Sequence, residues 1–246
     1  MEAQSSFGIK QSFHLLIVLV AAYFALVLSI SGLLNLLNSL AERASGSALT
    51  ENEIRIALRV ISSVLGPLLM MVATLLLLKR YFRSDGYRSL LTKFGFSPVG
   101  LNWQLVISFA VGVALILVVK ELMYRFPPNT AVPNTQSSAL SSADLWVQIV
   151  FAINVITIVP VAEEFVFRGV LYKGFTASCS KLVAAAAVSL LFTLAHIDVM
   201  RDGYWPNQIA LISLPFVLVL AREISGSLYS PILIHAGFNF GSVFIV

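Results

Sequence analysis

The feature that most constrains this chain is a long uncharged run that then acquires three charges. From Leu145 to Val159 no residue is ionisable. The run continues as P-V-A-E-E-F-V-F-R-G, Pro160 to Gly169, and stays mostly apolar to about Thr176. A spanning helix needs about 20 apolar residues, so this stretch is long enough to cross a bilayer. In lipid the backbone must satisfy its own hydrogen bonds, which makes the stretch helical. Ionisable groups inside such a helix are costly, and Glu163, Glu164 and Arg168 therefore mark a functional site.

The rest of the chain agrees with a membrane setting. Of 246 residues, 58% are hydrophobic and 11% charged, against roughly 25% charged in soluble domains. The expected architecture is all-α, a polytopic membrane helix bundle of about seven transmembrane helices in one integral domain over residues 1–246. It divides into an amino-terminal three-helix part, 1–143, and a helical core, 144–246, that carries the motifs. The net charge of +4 comes from basic residues clustered in one loop. That pattern reads as topology and excludes a nucleic-acid surface. The single cysteine, Cys179, excludes an internal disulfide and any multi-cysteine metal cluster and reads as a small packing residue.

Taken in order, a first apolar segment spans about Phe13 to Leu37 and reads as a retained anchor. A polar loop, Asn38 to Arg55, separates it from a second segment, Ile56 to Leu78. Gly66-Pro67 predicts a kink there, tolerated if a neighbour satisfies the freed carbonyl. Lys79, Arg80, Arg83, Arg88 and Lys93, opposed only by Asp85, make the next loop cytoplasmic by the positive-inside rule, together with the amino terminus. The third segment is Trp103 to Met123, and the Pro-, Asn- and Ser-rich loop Arg125 to Ser142 is expected outside. The long segment with the acidic pair follows. The last three spans are Lys181 to Ile197, Asn207 to Ala221 and Leu228 to Val246, the first two separated by a polar loop, Asp198 to Pro206.

Residues i and i+4 share a helix face, so Glu164 and Arg168 can pair along the helix. Glu163 is rotated by about 100° from Glu164 and is left to face a cavity as a general base. His196 ends an apolar helix with Phe192 one turn before it, and His235 has Asn239 one turn after it. His14, near the start of the first span, is expected to be incidental. Glu163 precedes the Cys179-Ser180 turn by about as many residues as His196 follows it, so an antiparallel hairpin sets both at one depth. His235 is only about nine residues beyond the Ser225-Gly226 turn and would need helix tilt to come level.

E-E-F-V-F-R-G resembles the E-E-x-x-x-R motif of the CAAX-protease and bacteriocin-processing (CPBP) family. F-T-L-A-H, Phe192 to His196, is similar to its F-x-x-x-H, and H-A-G-F-N, His235 to Asn239, to its H-x-x-x-N. The three occur in the family's order within about Leu145 to Val246. The resemblance implies an intramembrane endopeptidase. In it Glu163, assisted by His196, would activate a water, and His235 and Asn239 would stabilise the oxyanion. Glu164 and Arg168 would organise the site, and Phe192 would pack its wall. It implies no cofactor. The competing form is a zinc site at Glu163, His196 and His235 with water in the open position, although the chain has no H-E-x-x-H motif.

The implied partners are the lipid bilayer and a peptide or membrane-protein substrate, lipidated or otherwise processed. The implied location is a multi-pass membrane, the plasma membrane if the source is bacterial. A non-proteolytic immunity or scaffold protein is the alternative from another class. A proton-coupled transporter is disfavoured because no half of the chain repeats the other.

Overall fold

The computed structural model describes residues 7–45, 50–83, 85–97, 103–126, 144–197 and 205–244. Its elements are helices α1 (Ile9–Ser45), α2 (Glu51–Tyr81), α3 (Tyr87–Lys93), α4 (Trp103–Arg125), α5 (Leu145–Thr176), α6 (Lys181–Ala195), α7 (Trp205–Ser225) and α8 (Tyr229–Phe244). The described residues form no strand. Five helices (α1, α2, α4, α5 and α7) are long and apolar enough to cross a membrane. The remaining two spans expected from the sequence correspond to the shorter α6, of 15 residues, and α8, of 16. Most of the apolar surface of the long helices points away from the bundle, as in Ile17, Leu28, Trp103 and Leu220. In water such a surface would aggregate; in a bilayer it is solvated.

Two boundaries differ from the sequence reading. The loop expected from Asn38 to Arg55 is largely helix, because α1 runs on to Ser45 and α2 begins at Glu51. Hydropathy marks where a helix leaves lipid, not where it stops. The true start of α2 is a capping box: Thr50 accepts from the Glu53 backbone N–H, and the Glu53 carboxylate accepts from the Thr50 N–H at 2.7 Å. The basic loop also contains the short helix α3, anchored by the buried Leu90. The external loop expected at Arg125 to Ser142 and the polar loop at Asp198 to Pro206 fall mainly on 127–143 and 198–204, outside the described residues.

Three proline-bearing helices are stitched by polar side chains from their neighbours. Pro67 cannot donate to the carbonyl of Ser63, and the Asn154 amide of α5 donates to that oxygen at 2.6 Å. Pro215 likewise frees the carbonyl of Leu211, and the Thr193 hydroxyl of α6 donates to it at 3.4 Å. Near Pro160, the Asn239 amide of α8 donates to the carbonyl of Val155 at 2.9 Å. Lipid offers no donor for such carbonyls, so each bond fixes one helix against another.

Helix α8 sits at the centre of the carboxyl-terminal part, with its most extensive contact to α4. Small residues allow this approach. A Cβ at Gly112 would overlap the backbone of Ile234 and Phe238, and one at Gly237 would overlap the Phe109 carbonyl. Gly241 meets the Ile116 side chain in the same way. Gly237 and Gly241 form a G-x-x-x-G stripe, which permits close helix crossing in membranes.

At the basic end the chain folds back into the bundle after α3. Gly95 adopts φ +113°, a conformation open to glycine, and its carbonyl accepts the Leu228 backbone N–H at 2.9 Å. Leu228 packs against Gly169, where a Cβ would crowd both the Phe94 carbonyl and the Leu228 side chain. The turn between α7 and α8 therefore lies at the depth of Gly169 rather than at the end of α5. His235 follows Leu228 by seven residues and Glu163 precedes Gly169 by six. On antiparallel helices this brings the two level, which is how the short offset from the Ser225-Gly226 turn is resolved.

Candidate active site

Glu164 and Arg168 are fully buried. The Arg168 Nη1 donates to Glu164 Oε1 at 2.9 Å across the expected i, i+4 spacing. Its Nη2 donates to the Pro215 carbonyl of α7 at 3.2 Å, and its Cζ lies 4.6 Å from the centre of the Phe192 ring. The guanidinium is thus held by a carboxylate, a carbonyl and an aromatic face, which together offset its desolvation. These residues lie where α5 changes geometry. Phe165–Leu171 is π-helical, and all seven of its residues are buried. Such widened turns recur at functional sites, and nothing in the amino-acid pattern announces this one.

Glu164 has a second partner that the sequence did not suggest. Its Oε1 lies 3.0 Å from His235 Nδ1. An ionised carboxylate only accepts, so Nδ1 carries the proton and donates. His235 and Asn239, one turn apart on α8, each bond to α5: His235 to Glu164, and Asn239 to the Val155 carbonyl. Both side chains turn from their own helix toward the polar groups of the neighbouring one.

His196 is placed differently from a buried helical histidine. It is the C-cap of α6, with φ −114° and ψ 32°, and its side chain is 32% exposed. Its Nδ1 donates to the Phe192 carbonyl at 2.9 Å, and its ring stacks on the Phe192 ring at 4.6 Å and 25°. Phe192 also meets His235 edge-on at 5.8 Å and Phe167 at 5.1 Å. The F-x-x-x-H spacing thus has a physical basis. One phenylalanine fixes the tautomer and plane of His196 and covers the guanidinium of Arg168.

Both imidazoles direct Nε2 at Glu163. Its Oε1 lies 3.9 Å from His196 Nε2, and its Oε2 lies 3.9 Å from His235 Nε2. Oε2 is buried and has no hydrogen-bond partner among the described residues. A separation of 3.9 Å is too long for a direct bond and within the span of one bridging solvent molecule. The Glu163 side chain is 16% exposed and that of His235 is 5% exposed, so the site opens on the His196 side. Four separate helices contribute: α5, α6, α7 and α8.

The same three side chains form the expected alternative zinc site. Ligand atoms on one tetrahedral zinc stand about 3.3 Å apart, closer than the 3.9 Å found here. Among the described residues no group of three or more His, Cys, Asp or Glu is arranged to hold a metal ion. His14 lies elsewhere: its Nδ1 is 2.6 Å from the Tyr81 hydroxyl and ties α1 to the end of α2.

A bundle of apolar helices, five of them long enough to cross a bilayer, defines an integral membrane protein, and a carboxylate and two imidazoles converge in its interior. Residues 145–241 match the model of the Rce1-like family, described as type II CAAX prenyl endopeptidase Rce1-like. The match covers these 97 of the 246 residues, and residues 1–144 and 242–246 lie outside it. No curated protein and no solved structure matches the chain. Over residues 145–241 the chain is thus similar, in general terms, to CAAX-type prenyl endopeptidases.

Proposed function

We propose that the protein is a glutamate-dependent intramembrane endopeptidase in which Glu163 activates water. The observation that carries this reading is the Glu163 carboxylate, whose Oε1 lies 3.9 Å from His196 Nε2 and whose Oε2 lies 3.9 Å from His235 Nε2. His196 gives its Nδ1 proton to the Phe192 carbonyl, so in the neutral ring Nε2 is a lone pair. A water placed there donates one proton toward Glu163 Oε1 and the other toward His196 Nε2. Its oxygen lone pair is then free to attack a peptide carbonyl.

In that step the water oxygen bonds to the carbonyl carbon and its proton passes to Glu163. The oxyanion is stabilised by His235 and Asn239. His235 gives Nδ1–H to Glu164, so it donates from Nε2 only as an imidazolium. Together with the Arg168 guanidinium, that cation would balance the two carboxylates of the cluster. Asn239 uses one amide hydrogen on Val155 and retains the other. When the tetrahedral intermediate collapses, the C–N bond breaks and Glu163 returns its proton to the departing amine. Glu164, Arg168 and Phe192 position these groups without touching the peptide. The substrate is a peptide or membrane protein, including lipidated and otherwise processed peptides.

Purified protein in liposomes, offered prenylated and unprenylated peptides with CAAX-type tails, tests this. Mass spectrometry of the products is expected to show cleavage at one internal bond. Chelation of divalent metals should leave the rate within about twofold, since removing a required catalytic ion would remove its several kcal/mol of transition-state stabilisation. Loss of cleavage on chelation, restored by added zinc, would overturn the metal-free form. No cleavage of any peptide, with membrane function kept when Glu163, His196 and His235 are replaced together, would favour the scaffold alternative.

A further inference from the structure

The end of the bundle opposite the His196 opening carries a charge excess that the proposed chemistry does not use. Lys10, Lys79, Arg80, Arg83, Arg88, Lys93, Lys173, Lys181 and Arg222 lie on segments gathered there, with only Asp85 and Glu223 as described carboxylates. The segments are tied to one another: Lys173 Nζ donates to the Lys93 carbonyl at 2.6 Å, and Ser227 Oγ donates to the Gly95 carbonyl at 3.4 Å. Both carboxylates are already engaged. Asp85 binds Lys93 at 2.9 Å, and Glu223 binds Lys181 at 2.5 Å.

Within this end α3 has a distinctive exposed side. Leu90 and the adjoining Phe94 are fully buried and pin the helix to the bundle. Phe94 packs edge-on with Phe7 and Phe82. The opposite side is a shallow depression lined by Arg88, Ser89, Thr92 and Lys93. Thr92 spends its hydroxyl proton on the Arg88 carbonyl, and Lys93 is shared with Asp85 and the Phe82 ring. Among the described residues the exposed Arg88 guanidinium and Ser89 hydroxyl remain as donors without protein partners. Tyr87, 51% exposed beside them, is the amphipathic aromatic expected at a membrane interface.

From this arrangement we propose that α3 is a binding element for the phosphate of an anionic phospholipid headgroup. Charge complementarity selects the ligand. A guanidinium and a hydroxyl on one helix side, backed by a second cation, match a phosphodiester, and the surrounding cations raise its local concentration. The position selects lipid over a free ion, because α2 leaves its apolar span at Tyr81, only a few residues before α3. The positive-inside rule puts this end against the cytoplasmic leaflet, which is the anionic one. The bound headgroup would brace the loop whose Gly95 carbonyl holds the first turn of α8.

The test is lipid exchange into nanodiscs of phosphatidylcholine with a fluorescent phosphatidylglycerol probe, on the full chain. Wild-type protein is expected to enrich the probe. Arg88→Gln should weaken enrichment roughly fivefold or more, the scale of one charged contact at the membrane surface. Ser89→Ala should weaken it about twofold with no change of charge. Arg83→Gln, an equal charge change at an exposed neighbour, should have a smaller effect than Arg88→Gln. Inorganic phosphate should compete only weakly. Equal losses from Arg83→Gln and Arg88→Gln, with Ser89→Ala unchanged, would overturn the site in favour of diffuse surface charge. Full competition by phosphate would identify a soluble anion instead and equally overturn it. Circular dichroism on each variant separates loss of binding from loss of fold.

Discussion

Glu163→Gln is expected to lower the cleavage rate by about 10³-fold or more while leaving the protein folded. Glutamine keeps the length and planarity of the side chain but has no basic oxygen, and a positioned general base contributes roughly 10²–10⁴ in rate. The new amide would also donate toward one imidazole Nε2 and compete with the water. Stability should not fall, because Glu163 makes no direct hydrogen bond to either histidine: both nitrogens stand 3.9 Å away. Removing a partly buried carboxylate whose Oε2 lacks a protein partner should leave the unfolding temperature unchanged or raise it, the usual exchange between activity and stability. Progress curves in liposomes alongside thermal unfolding in detergent make the check. A variant that cleaves within tenfold of wild type would remove Glu163 from the role of base.

The second large effect concerns the buried pair. Arg168→Met should destabilise the fold by about 3–5 kcal/mol, the usual result of removing one partner from a buried ion pair. Glu164 is fully buried and would keep only His235. The Pro215 carbonyl would lose its donor, and Phe192 the cation on its face. Combining Arg168→Met with Glu164→Gln should recover much of the stability, since the uncompensated charge is gone. It should not recover activity, because a neutral amide no longer holds the Nδ1 proton of His235 as a carboxylate does. Thermal unfolding of the two single variants and the double variant measures this coupling. Additive losses would mean that the pair is not the organising contact.

Much of this site could be read directly from residue spacing. Glu164 and Arg168 are one helical turn apart on a helix with few other polar groups, so their pairing is local. Glu163 and His196 could be placed level because a single short turn joins their helices. What spacing could not supply was contact set by other segments. The depth of His235 depends on the α7–α8 turn being drawn in beside Gly169 by the carbonyl of Gly95. The bonds from His235 to Glu164 and from Asn239 to Val155 cross between helices, and an i, i+4 spacing does not name the partner on the other helix. The π-helical turn has no composition of its own. The G-x-x-x-G of Gly237 and Gly241, which the sequence reading did not single out, marks the face of α8 that seats on α4.

The most direct test of water activated by Glu163 is a single turnover in ¹⁸O-labelled water, followed by mass analysis of both the product and the Glu163-bearing peptide. The arrangement of Glu163, His196 and His235 predicts one ¹⁸O in the new carboxylate of the product at the first turnover and none in the enzyme. Unlabelled product with ¹⁸O retained on Glu163 would instead mean that the carboxylate itself attacks the peptide, and would contradict the account.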